Sequence, residues 1–172
     1  MLPLIDLDAE QIVRIEAAVP GGAVNIQDIY PLAPLQEGIL FHHMLQGVGD
    51  AYVTRQLLGF DSRERVERFV ASFNQVIARH DILRTAVLWE GLKDPVQVVV
   101  RQAELSIEWL PAVAGEESAA RLNAHVDPLH NRIDVRRAPM LRAVALQDID
   151  QGRWLLQLPS HHLVLDLSLI HI

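Results

Sequence analysis

The sequence predicts an α+β domain, with helices packed on a mixed sheet. Three observations point there. Val66, Phe69, Val70, Phe73 and Ile77 recur at helical spacing. Two apolar runs, Thr85 to Trp89 and Val96 to Arg101, flank the turn-like Glu90 to Pro95, as in a hairpin with a long loop. Helical and extended patterns then follow one another in mixed order, with several hairpin-like pairs.

Asp8 to Val19 reads as a short amphipathic helix. Asp6 or Asp8 is placed to cap it, Ile12, Ile15 and Val19 share a face, and Pro20-Gly21-Gly22 ends it. Pro31 demands an extended residue before it, and Pro34 suits a first helical turn. That second helix should run to about Gln46 and close at Gly47, Gly49 and Asp50. Ala51 to Phe60 reads as a strand. Asp61 and Glu64 have the spacing of a capping box for a helix from Ser62 to Ala78. After the hairpin, Leu105 to Leu110 reads as a short strand and Ala114 to His130 as a helix. Asn131 to Pro139 is irregular. Met140 to Gln147 and Arg153 to Leu158 are strands joined by a turn at Asp148 to Gly152.

The composition narrows the function classes. A chain of 172 residues can bury one sizeable core. A net charge of −7 argues against a general nucleic-acid binder. With no cysteine there is no disulfide framework, thiolate nucleophile or cysteine-ligated metal, which suits a reducing compartment. Met1 to Ile5 is too short, and too soon followed by Asp6 and Asp8, for a secretory signal. No apolar run approaches membrane-spanning length. The expected setting is the cytoplasm.

The chemistry-bearing residues gather in three stretches. In Ser160-His161-His162-Leu163-Val164-Leu165-Asp166-Leu167-Ser168, two adjacent histidines follow an apolar run. Neighbouring side chains of an extended segment point to opposite faces. One histidine can therefore face a cleft while the other packs inward, and a histidine suits proton transfer at working pH. In Arg79-His80-Asp81-Ile82-Leu83-Arg84, Arg79 and His80 suit a helix C-terminus. Arg84 lies beyond that helix among apolar residues and calls for a carboxylate, with Asp166 a candidate. In His42-His43-Met44-Leu45-Gln46-Gly47-Val48-Gly49-Asp50, the plain physical reading is a helix end with glycine terminators. A zinc site built from His42, His43, His161 and His162 is disfavoured, because adjacent histidines diverge, HExxH is absent and no cysteine helps.

Together these stretches resemble the condensation domain of nonribosomal peptide synthetases, a relative of chloramphenicol acetyltransferase. Tyr30 to His42 (YPLAPLQEGILFH) looks like the family's N-terminal signature. Arg79 to Thr85 (RHDILRT) looks like its second signature, with Asp81 in place of glutamate. SHHLVLDLS looks like its HHxxxDG active-site motif, with Leu167 where glycine is usual, and Ala138 to Leu146 resembles the strand before it. HHMLQGVGD is similar to the HH(I/L)xxxxGD motif of dual epimerisation/condensation domains, with Met44 the departure.

The resemblance implies a chloramphenicol acetyltransferase-like lobe that forms an amide between carrier-bound donor and acceptor, after epimerising the donor. By resemblance His162 is the catalytic histidine, either accepting the amine proton or orienting the amine. His161 supports its loop, and Asp166 pairs with Arg84. His42, His43, Gly49 and Asp50 form the epimerisation motif. Neither metal nor cofactor is bound directly, and the substrates ride on 4'-phosphopantetheine arms. The implied partners are donor and acceptor peptidyl carrier domains, adjacent synthetase modules and a C-terminal lobe, with no nucleic acid or membrane. Residues 1–172 match only the N-terminal lobe, cut just after the active-site motif, so the chain alone is expected to be inactive. The alternatives are a non-catalytic interaction fragment and a stand-alone acyltransferase of the same superfamily.

Overall fold

The structure is a computed structural model that describes residues 5–165. The described residues form four α-helices and seven strands arranged in two sheets. Helix α1 (Ala9–Ala18) starts at Asp8, whose carboxylate accepts from Gln11 N–H in a reciprocal capping box. A 3₁₀ turn, Gly22–Asn25, leads into strand β1 (Ile26–Pro31). Helix α2 (Pro34–Leu45) begins on Pro34, as its fixed φ favours. Strand β2 (Val53–Phe60) precedes the longest helix, α3 (Arg63–Arg79).

The observed cap of α3 corrects the sequence expectation. Ser62, not Asp61, is the N-cap, with its hydroxyl accepting from Arg65 N–H at 3.3 Å. Asp61 lies one residue too early for that bond and pairs with the Arg65 guanidinium at 2.8 Å. A 3₁₀ turn (Asp81–Arg84) then delivers strand β3 (Thr85–Leu88), which forms the expected antiparallel hairpin with β4 (Val96–Val100). On the other side of β4 lies β1, so the first sheet has the order β1-β4-β3. A register shift between Ile26 and Asp28 spoils the two-residue alternation of β1.

The second sheet has the order β2-β7-β6-β5. Strand β5 (Ile107–Trp109) runs parallel to β6 (Ala143–Asp148), and β7 (Arg153–His161) pairs antiparallel with β6 and β2. Between β5 and β6 lies α4 (Ser118–His125), much shorter than the expected span from Ala114 to His130. Pro128 lacks an N–H for a continuing helix and restricts the residue before it, and the Asp127 carboxylate accepts from Leu129 N–H. Strand β6 begins at Ala143 rather than Met140, because Leu141 makes only an isolated bridge to Ser160.

One buried cluster joins α3 to the second sheet through Val66, Val70 and Ile77 against Ala145, Leu156 and Leu158. Another joins α2 to the end of β7 through Leu32, Ile39 and Leu40 against Met140, Leu163 and Val164. This second cluster seats His43 of α2 beside His161, which ends β7. No helix of the described residues is long and apolar enough to cross a membrane.

Candidate functional site

The site forms where β7 ends. His161 is its last residue, opposite Val53 on β2, and residues 162–164 turn away. Leaving the strand separates the histidine pair: His161 is 0% exposed, whereas His162 is only partly buried. Backbone bonds pin both. His161 N–H donates to the Met140 carbonyl at 3.1 Å, and His162 N–H to the Tyr52 carbonyl at 2.9 Å. Val164 and Leu165 N–H return to the His161 carbonyl at 3.2 and 3.3 Å. From α2, Gln36 donates to the Leu163 carbonyl at 3.3 Å and to Gln97 on β4 at 2.9 Å.

The second histidine pair lies on the last turn of α2, and it too is split: His42 is exposed and His43 buried. The chain returns through Gly49, whose φ is +80°. A side chain there would be strained by the left-handed backbone and would meet Leu129 Cδ2 at 3.3 Å. The turn delivers Asp50 into the interior at 4% exposure. Its Oδ2 accepts from His43 Nδ1 at 2.8 Å and from His161 Nε2 at 3.2 Å, and its Oδ1 from Tyr52 N–H at 3.0 Å. The His43 and His161 rings meet edge to face, 5.4 Å between centroids.

Burial pushes the Asp50 carboxyl up, but hydrogen bonds from His161, His43 and the Tyr52 N–H outweigh it. The carboxyl is held well below the usual range and stays ionised. Among the described residues, His43, Asp50 and His161 form the cluster that could hold a metal, with ligand atoms within 4.8 Å of one another. The separations from Asp50 are those of hydrogen bonds. A zinc ion would need the bridging protons removed and ligand distances of about 2.0–2.2 Å. The cluster therefore keeps two of the four histidines the sequence offered, His43 and His161, and adds the Asp50 carboxylate, while His42 and His162 lie outside it.

Arg84 is buried at 5% exposure, as its apolar surroundings implied. Among the described residues it pairs with Asp81, one turn earlier in its own motif, and also donates to the Val100 carbonyl and to Gln27 Oε1. Asp166 and Leu167 lie outside the described residues. Sequence reasoning missed three supports. Tyr52 acts through its carbonyl and has its ring 6.0 Å from that of His42. Gln36 is one polar residue in an apolar signature. Arg132 donates to the carbonyls of His43 and Gln46 and so caps the end of α2. Beside them His43, Trp89, Arg132 and Arg136 line a cavity of about 490 Å³.

Comparison with known proteins matches residues 26–170 to the condensation domain family. The chain is 47% identical over its full length to malpinin synthetase of Mortierella alpina, and it spans 2% of that protein. It is 31% identical over 83% of its length to tyrocidine synthase 2 of Brevibacillus parabrevis, of which it spans 4%. Among solved structures, a four-domain nonribosomal peptide synthetase bound to AMP and glycine superposes with a TM-score of 0.70. That match has 16% identity and covers 84% of this chain and 11% of the other. The starter condensation domain of rhizomide synthetase superposes at 0.66 with 20% identity, covering 81% and 35%. These likenesses bear out the α+β, chloramphenicol acetyltransferase-like fold. A family match over most of the sequence, on a fold shared with solved condensation domains, gives the conclusion: this chain belongs to the condensation domain family.

Proposed function

We propose that this chain is the N-terminal lobe of a nonribosomal peptide synthetase condensation domain, and that its site forms an amide between two carrier-bound residues. The observation that carries the reading is the split at the end of β7, with His161 locked inside and His162 left partly accessible on a turn held from both sides.

In the proposed reaction, the acceptor's amine nitrogen attacks the carbonyl carbon of the donor thioester. The C–N bond forms, the C–S bond breaks, and the donor's phosphopantetheine arm leaves as thiolate. The amine gives up one proton. His162 either takes it and passes it on to the leaving thiolate, or accepts a hydrogen bond that orients the amine while the proton goes to the thiolate; in both cases the arm ends as a thiol. Much of the acceleration comes from holding two tethered reactants together. Donor and acceptor carrier domains are the proposed partners, and the reducing cytoplasm the proposed setting.

We further propose that the HHMLQGVGD stretch epimerises the donor before condensation. The exposed His42, next to buried His43 and Asp50, supports this assignment. Phe41, Met44 and Leu45 share one face of α2 and are 60%, 54% and 66% exposed. Such a patch fits a lobe built to meet a second lobe. The test is a condensation domain carrying this sequence, supplied with donor- and acceptor-loaded carriers. His162→Ala is expected to abolish amide formation, and chiral analysis of the carrier-bound donor reads epimerisation separately.

A further inference from the structure

We propose that Asp50 is a positioning residue of the amide-forming turn: it fixes one tautomer of His161 and anchors the backbone of His162. The proposal rests on the amide-forming reading above. It gives Asp50 a part in condensation as well as in epimerisation.

Asp50 reaches His162 by two routes. The first runs through His161. An ionised carboxylate only accepts hydrogen bonds, so the His161 Nε2 beside Asp50 Oδ2 carries a proton. The other ring nitrogen, Nδ1, accepts from Leu163 N–H at 3.2 Å and carries none. With both nitrogens engaged, the buried ring is fixed as the neutral Nε2–H tautomer. The same residue's carbonyl accepts from Val164 and Leu165 N–H. Thus the ring and the carbonyl of His161 organise residues 163–165, and His162 lies between His161 and that turn.

The second route runs through Tyr52. Asp50 Oδ1 accepts from Tyr52 N–H, and the Tyr52 carbonyl accepts from His162 N–H. One carboxylate therefore holds the ring before His162 and Tyr52, the residue just before β2 that faces it. Closing the loop after α2 would need only the His43 and Tyr52 bonds. Oδ2 reaches further, across to His161 at the end of β7. Asp50 has no covalent part in this reaction; its effect is on where His162 stands.

The test has two readouts. Long-range nitrogen–proton spectra of the histidine rings, recorded on this chain, should show His161 as a single Nε2–H tautomer. An Nδ1–H tautomer, or an average of the two, overturns the proposal without any variant. In a condensation domain carrying this sequence, Asp50→Asn should lower kcat for amide formation on the order of 10²-fold, the scale of a misplaced catalytic group. KM for the loaded carriers should hold, and the His161 signals should lose their single tautomer. His43→Asn leaves the Asp50–His161 contact in place, and should keep that tautomer even if Asp50→Asn does not fold. If the unmutated domain forms no amide, the proposed function falls and this proposal with it. If it does form amide and Asp50→Asn matches its rate, this proposal alone falls.

Discussion

Asp50 Oδ2 lies 2.8 Å from His43 Nδ1 and 3.2 Å from His161 Nε2, so one buried oxygen joins the two histidine pairs of the chain. This contact has a signature in acid. The folded-state pKa of Asp50 is lowered, so its stabilisation is complete above the unfolded value of about 3.9 and fades as pH falls through the lower folded value. Urea unfolding of the wild-type chain should lose stability as pH drops below about 4. Asp50→Asn should be weaker at neutral pH by about 1–3 kcal/mol, since two ring donors lose an ionised acceptor. It should also show a shallower acid limb. Parallel limbs would remove Asp50 from the acid response.

The two members of the α2 pair should behave differently. Exposed His42 bears little load, and His42→Ala should change stability by less than about 0.5 kcal/mol. His43→Ala removes a buried donor to Asp50 and should cost about 1–3 kcal/mol. Both variants should impair epimerisation more than condensation with a D-configured donor. Equal loss of the two activities in His42→Ala would assign that residue to structure.

Arg84 and Asp81 form an asymmetric pair. Asp81→Ala removes the carboxylate that pairs with a buried guanidinium among the described residues, whereas Arg84→Met removes the charge and keeps an apolar stem. Arg84→Met should cost about 1–3 kcal/mol, from the Val100 and Gln27 acceptors it leaves behind. Asp81→Ala should cost at least as much. A clearly milder Asp81→Ala, in chemical denaturation, would show that Arg84 does not depend on this partner.

Gly49→Ala forces a side chain into a left-handed conformation against Leu129 and should cost about 1–2 kcal/mol. Gly47 has open space around it, so Gly47→Ala is the natural control for thermal unfolding.

Much of this was legible from local pattern, and what was not is mostly non-local. The apolar spacing of α3 and the turn between β3 and β4 stand on a few neighbouring residues, so they could be read directly. Strand β1 could not, because the irregularity between Ile26 and Asp28 hides its alternation. The sequence pattern overextends α4 because favourable residues continue past His125, whereas Pro128 decides where helix can exist. The histidine motifs announced themselves by composition. The Asp50–His161 contact crosses most of the chain and leaves no local trace. Tyr52 serves through its carbonyl, which any residue carries. Arg84 calls for a carboxylate, and Asp81, one turn back, supplies one.

The most direct test of the account is amide formation by a condensation domain carrying this sequence with His162→Ala, assayed with donor- and acceptor-loaded carriers. A correctly folded variant that forms no amide is the predicted result. Amide formation at the wild-type rate would contradict the assignment of His162 and of the turn that presents it.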